Sequence, residues 1–166
     1  MSRMYNADEV FEMGEQIERV GQQFYRKAAR QSDDESVQNL LTDLADMEED
    51  HEELFHEMRL NSRRPDIPQI SFDPDHDAAK YLRATAETHV FNVHKDLAES
   101  LTGSESAEEV LRIAIDFEKD TVVFFLGLQD LVPEDLGGDK TEWLVRQEMS
   151  HIVTLTQKLR SLSTGE

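Results

Sequence analysis

Glu48 and His51 stand one turn apart where a helix should present its core face. On an α-helix of about 100° per residue, Leu40, Leu44, Met47, Leu54, Phe55 and Met58 fall within roughly 60° of the direction of His51, and Glu48 lies in the same sector. Burying a carboxylate without a partner costs several kcal/mol, so this pair requires compensation, and a metal ion supplies it economically. Three Glu-x-x-His motifs occur, at Glu48/His51, Glu53/His56 and Glu148/His151. The first and third are related by a shift of 100 residues, whereas the same shift from Glu53 and His56 reaches Val153 and Thr156. One pair recurs and the other does not.

The same 100-residue register extends to the elements that must carry these residues. Asp8-Glu9-Val10-Phe11 matches Glu108-Glu109-Val110-Leu111, Ile17-Glu18 matches Phe117-Glu118, Phe24-Tyr25 matches Phe124-Phe125, and Leu44 matches Leu144. Each half therefore reads as a Glu followed, thirty residues later, by Glu-x-x-His. The chain looks like two copies of one helical hairpin.

Local signals place four helices. Asn6 with Glu9 caps the first, on which Phe11, Gly14, Glu18, Gly21, Tyr25 and Ala28 form one stripe. Gly14 and Gly21 each cost helix propensity, which points to close approach of a neighbouring helix. Ser32 with Glu35 opens a second helix ending near Asn61, and the short turn between the two makes them antiparallel. Prolines at 65, 68 and 74 then exclude continued helix, and residues from Ala78 to about Leu101 read as one or two shorter helices within a long crossover. Ser106 with Glu109 caps the third long helix, whose stripe is Leu111, Ala114, Glu118, Thr121, Phe125 and Leu128. Pro133 and Gly137-Gly138 end it, and Asp139 with Glu142 caps the fourth, with Leu144, Glu148, His151, Leu155 and Leu162 inward. The expected fold is all-α: a single domain over residues 1–166, with one hairpin over about 6–61, a crossover over about 62–105 and a second hairpin over about 106–163, forming an antiparallel four-helix bundle.

Composition narrows the function. The chain has no cysteine, which excludes disulfides, thiolate metal sites and cysteine redox chemistry within it. A net charge of −19 argues against nucleic acid or an anionic membrane as partner and raises the local concentration of cations. Apolar runs are too short to span a bilayer and the first residues lack a signal-peptide core, so the expected location is cytoplasmic. Exposed apolar residues in the crossover, such as Tyr81, Val90 and Phe91, suggest a homodimer.

Six side chains thus converge in one bundle: Glu18, Glu48, His51, Glu118, Glu148 and His151. Four carboxylates neutralise two divalent ions, and the imidazoles add donors without charge. One Glu from each of two helices with Glu-x-x-His from each of the other two is the ligand pattern of ferritin-like di-iron and di-manganese proteins, in which Glu48 and Glu148 would bridge and Glu18 and Glu118 would be terminal. Glu53 and His56 turn outward, His76, His89 and His94 lie in the crossover without matching partners, and Met149 points away from the site.

Glu18 with Phe24-Tyr25, Glu48-Glu49-Asp50-His51, Phe117-Glu118-Lys119-Asp120 with Phe124-Phe125, and Glu148-Met149-Ser150-His151 together resemble the rubrerythrin-type branch of the ferritin-like superfamily, over about residues 6–160. The resemblance is to its helical domain standing alone, without the cysteine-rich rubredoxin-like domain. It implies two iron ions, with manganese or a mixed pair as alternatives, and Tyr25 as a hydrogen-bond donor beside the cluster. It implies a non-haem di-iron oxidoreductase reacting with peroxide or dioxygen, supplied with electrons by a separate donor protein. The alternative is an iron-handling module that oxidises Fe(II) for sequestration. Two departures, Thr121 where peroxide-reducing members carry an extra carboxylate and Phe125 where a Tyr would mirror Tyr25, argue against efficient peroxide reduction.

Overall fold

The computed structural model describes residues 7–63, 77–85, 97–132 and 134–165. Four long helices dominate: α1 (Ala7–Gln31), α2 (Glu35–Ser62), α5 (Ala107–Gln129) and α6 (Gly138–Thr164). Between the hairpins lie α3 (Asp77–Thr85) and the single turn α4 (Leu97–Ser100), and a 3-10 turn, Glu134–Leu136, precedes α6. Among the described residues there is no strand. Helix α1 packs along α2 and α5 along α6, and the two hairpins meet through α1 against α5 and α2 against α6. Helix α3 covers part of α5, and α4 sits against α1.

The expected stripes of α1 and α5 are buried throughout. On α2 the buried line is Val37, Leu41, Leu44, Ala45, Glu48, His51, Phe55 and Met58. It runs slightly to one side of the expected sector, because Met47, expected inside, is 39% exposed. The α6 stripe is buried at Leu144, Glu148, His151 and Leu155, while Leu162 is half-buried near the helix end.

Helix starts depart from expectation in two places. Asp34, not Ser32, caps α2: its Oδ1 accepts from the Val37 amide at 2.9 Å, and the Ser32 hydroxyl donates to the Asp34 carbonyl at 3.2 Å. Both side chains are competent caps, and the path of the turn, which aims the Asp34 carboxylate at the Val37 amide, starts the helix two residues further on. Helix α6 begins with Gly137 as its cap, not Asp139 with Glu142. Gly137 has φ 109°, a left-handed conformation that glycine adopts without strain, and its carbonyl accepts from the Thr141 amide at 2.9 Å. Asp139 falls inside the first turn and Glu142 pairs with Arg146 instead. At α5 the Ser106–Glu109 capping box forms as expected. The Asn6 cap, the prolines of the connector, His76, His89, His94, Val90 and Phe91 lie outside the described residues. Tyr81 is 40% exposed, and its hydroxyl donates to the Val123 carbonyl at 2.9 Å.

Charge also locks the first hairpin. The Arg59 guanidinium reaches Asp8 at 3.0 Å, Glu12 at 2.9 Å and Glu15 at 3.0 Å, joining α2 to three successive positions of α1. The outward-facing His56 completes this group, its Nδ1 lying 3.0 Å from Glu15 Oε1. Glu15, outside the stripe read from sequence, is buried because these partners take up its charge.

Gly14 and Gly21 are the points where neighbouring aromatics come in. A Cβ at Gly14 would lie 2.6 Å from two ring atoms of Phe55, and one at Gly21 would lie 2.9 Å from the Phe117 ring. Phe55 is fully buried and packs at a tilt against Phe125 with centroids 5.1 Å apart, so it has little room to move. Overpacking of this kind costs about 1–3 kcal/mol against about 1 kcal/mol of helix propensity gained from Gly to Ala. Gly14→Ala should therefore lower the midpoint of denaturant unfolding at unchanged slope; a raised midpoint would mean that Phe55 repacks freely.

Candidate metal centre

The middle turns of the four long helices each deliver carboxylates or imidazoles to one layer. Glu18 comes from α1, Glu48 and His51 from α2, Glu118 from α5, and Glu148 and His151 from α6. All four carboxylates are fully buried, and His51 and His151 are 2% and 3% exposed. The imidazoles thus form the edge of the layer nearest solvent. Their rings stack on one another with centroids 5.4 Å apart.

Two overlapping sets of donors result. Glu18, Glu48, His51 and Glu148 form one, and Glu48, Glu118, Glu148 and His151 the other, and within each set one donor atom per residue lies within 4.8 Å of all the rest. Glu48 and Glu148 belong to both. Glu148 turns Oε1 to His51 Nδ1 at 2.9 Å and Oε2 to His151 Nδ1 at 3.0 Å. Glu48 divides itself the same way, with Oε2 at 3.7 Å from His51 Nδ1 and Oε1 at 3.2 Å from His151 Nδ1. Glu18 Oε2 lies 3.9 Å from His51 Nδ1, and Glu118 Oε1 lies 3.6 Å from His151 Nδ1.

These approaches are close but are not hydrogen bonds. Both oxygens of Glu18, Glu48 and Glu148, Oε2 of Glu118 and Nδ1 of both histidines are buried without a hydrogen-bond partner. A metal-free polar layer would satisfy such atoms pairwise, because an unmet buried acceptor costs about 1–3 kcal/mol and more when charged. Donors that crowd a common space while failing to pair with each other are arranged for cations between them. The set of carboxylate oxygens and imidazole nitrogens suits Fe, Mn or Zn, and four carboxylates balance two divalent charges. The cluster fits a dinuclear metal site.

Tyr25 supplies the one conventional hydrogen bond here. Its buried hydroxyl donates to Glu118 Oε1, across the bundle rather than to Glu18 on its own helix. Burial first, and then the Glu118 and Glu48 charges, push its pKa well above 10.0, so the phenol keeps its proton. At the offset position Phe125 is also buried but packs on Phe55, and Thr121 turns its hydroxyl back to the Phe117 carbonyl at 3.0 Å. Glu53 and His56 are exposed and away from the layer. Met149 is 52% exposed.

Trp143 is the neighbour that sequence reading missed. Its half-exposed indole stands perpendicular to the His51 ring with centroids 5.7 Å apart, shielding that imidazole from solvent. Its own helix gives no hint of this, since the contact is made across the α2–α6 seam.

The architecture has a solved counterpart. A protein of Thermotoga maritima, classed provisionally as a ferritin-like diiron-carboxylate protein, matches with a TM-score of 0.70 over 96% of this chain and 98% of its own, at 22% identity. The fold is ferritin-like. No family model matches the chain, and no curated protein does. Among the described residues no helix is long and apolar enough to cross a membrane.

Protons compete with cations for this layer. Burial, then the Glu148 and Glu48 carboxylates, push Glu18 well above 4.5, and burial with Glu48 and Glu148 does the same to Glu118. For His51 burial opposes the charge, but Glu148 and Glu48 outweigh it and raise the imidazole from 6.5 to about 9. His151 rises for the same reason, with Glu118 the strongest partner. Burial also opposes ionisation of Glu48, yet Glu18 and the two imidazoles hold it below 4.5. A group raised on folding stabilises fully below its unfolded pKa and loses that contribution as pH climbs to the folded one. For His51 this window is 6.5 to about 9, while the raised carboxylates lose theirs from 4.5 upward and Glu48 acts only below it. Chelator-treated protein should therefore lose melting temperature between pH 6.5 and 9. Metal-loaded protein should hold steadier, because bound cations replace the protons. Parallel curves for the two forms would show that the six residues do not share a cation site.

Proposed function

We propose that the chain binds two iron ions in this layer and acts as a non-haem oxidoreductase toward peroxide or dioxygen. The observation that carries the reading is the layer of buried, mutually unpaired donors, with two carboxylates each dividing its oxygens between two imidazoles. The ferritin-like fold supports it, as does the resemblance of the motifs to rubrerythrin-type proteins.

Glu48 and Glu148 would bridge the two positions, Glu18 and Glu118 would be terminal, and His51 and His151 would serve one position each. Bound redox-active ions would supply electrons and Lewis acidity for reduction of the oxidant. The rest falls to the protein. Phe24 and Phe117 pack edge-on against Tyr25, and these buried rings beside the layer keep the local dielectric low, which strengthens charge interactions there. Tyr25 holds a proton on its hydroxyl against Glu118 Oε1, the one buried phenolic proton at the layer among the described residues. With no cysteine in the chain, electrons for repeated turnover would come from a separate donor protein.

Sequestration of iron by Fe(II) oxidation is the second reading. It is favoured by the −19 charge and by the absence of an extra carboxylate at Thr121.

Protein purified without added metal should carry two ions per chain when fully loaded. His51→Ala and His151→Ala should each fall below two, while His56→Ala, whose imidazole faces solvent and Glu15, should keep both. Stopped-flow oxidation of the reduced protein then separates the readings. Oxidation much faster by peroxide than by dioxygen supports the oxidoreductase; comparable or slower oxidation by peroxide supports sequestration, and equal metal loss in His56→Ala and His51→Ala removes the ligand set altogether.

A further inference from the structure

The two hairpins repeat on the inside of the bundle but not on the outside. Along the outer seam of the first, Arg26 reaches Glu49 at 2.6 Å and Arg19 reaches Glu52 at 2.5 Å, with Gln23 and Glu53 exposed beside them. One hundred residues on, Arg26 and Glu49 become Leu126 and Met149, and Gln23 and Glu53 become Val123 and Val153. These four apolar side chains are 45–53% exposed. Because α5 packs along α6 as α1 does along α2, Leu126 and Met149 occupy the facing positions that the ion pair takes in the first hairpin. Tyr81 borders the patch from α3, through its hydrogen bond to the Val123 carbonyl.

The bundle itself does not need this patch, since the first hairpin closes the same seam with charge. Grouped exposed apolar side chains mark a surface that meets another one. Charge says which. Outside the metal layer α2 carries eight acidic residues against Arg59 alone, whereas α5 and α6 together carry six acidic and six basic ones. A basic partner would be drawn to α2, and an acidic partner gains nothing from a neutral face. Two copies of a chain of net charge −19 repel one another on most approaches, and of the two hairpins only the second can meet its own copy without that cost. The size also suits. Helices of 23 and 27 residues present a strip about 35–40 Å long and about 20 Å wide, or about 700–800 Å², against about 800 Å² per partner in a specific interface.

We infer that the outer face of the α5–α6 hairpin is where two copies of this chain associate, with Val123, Leu126, Met149 and Val153 at the centre of a twofold contact. Such a contact places one patch against itself, so it needs an apolar centre and a rim without net charge, and this face has both. The contact does not depend on metal in the buried layer.

Light scattering of the full chain at micromolar concentration tests this. The unmodified protein should show twice the 19.1 kDa mass of one chain. Leu126→Arg combined with Met149→Glu copies the first hairpin's own ion pair onto the second, and should give a single-chain mass with unchanged helical circular dichroism. Val123→Gln combined with Val153→Glu, which copies Gln23 and Glu53, is an independent variant with the same expected result. Leu60→Glu, at a leucine 51% exposed on α2, should stay dimeric. An unmodified protein that runs as a single chain, leaving this face to some other protein, would overturn the inference. So would folded double variants that remain assembled, or equal dissociation by Leu60→Glu.

Discussion

Four carboxylates in one dry layer repel each other, and the whole bundle is built around that fact. Glu18, Glu48, Glu118 and Glu148 are fully buried, each from a different long helix, with two imidazoles as their nearest positive or neutral company. At low dielectric, repulsion among like charges a few ångströms apart exceeds what hydrophobic packing around one layer returns. Either protons or cations must enter, and the unpaired donor geometry favours cations. The aromatic residues on either side, the close approaches at Gly14 and Gly21 and the Arg59 clamp at the end of the first hairpin hold the helices in place against this strain.

Much of this is visible in the sequence because burial and repetition constrain it twice. A Glu-x-x-His motif alone carries little information, and Glu53/His56 shows why: it has the same spacing, yet its helical phase turns it to the surface. The 100-residue offset adds what the motif lacks, since a repeated hairpin places matching residues in the same layer. Apolar periodicity fixes the rest of each stripe on α1 and α5.

Other features escape for identifiable reasons. Asp34 and Ser32 are both competent caps, and only the path of the turn decides between them. Gly137 caps α6 through backbone conformation, which leaves no side-chain signature. Met47 lies near the edge of the buried arc, where a small rotation of the helix moves a side chain into solvent. Glu15 and Trp143 owe their roles to residues on another helix, Arg59 with His56 in one case and His51 in the other. Tyr25 is likewise predictable as a neighbour of the cluster, but its choice of Glu118 over Glu18 depends on how the hairpins face each other.

Tyr25 and Phe125 occupy matching positions of the two hairpins, and of the two only Tyr25 carries a hydroxyl to the layer. Everything said of the site rests on two cations lying between the shared carboxylates. Anomalous diffraction from iron-loaded crystals, with data on both sides of the iron absorption edge, measures this directly. The account predicts two anomalous peaks per chain, about 3.5–4 Å apart, each between Glu48 and Glu148 and each beside one of His51 and His151. A single peak, peaks at surface carboxylates alone, or an ordered layer with no peak after loading would contradict it.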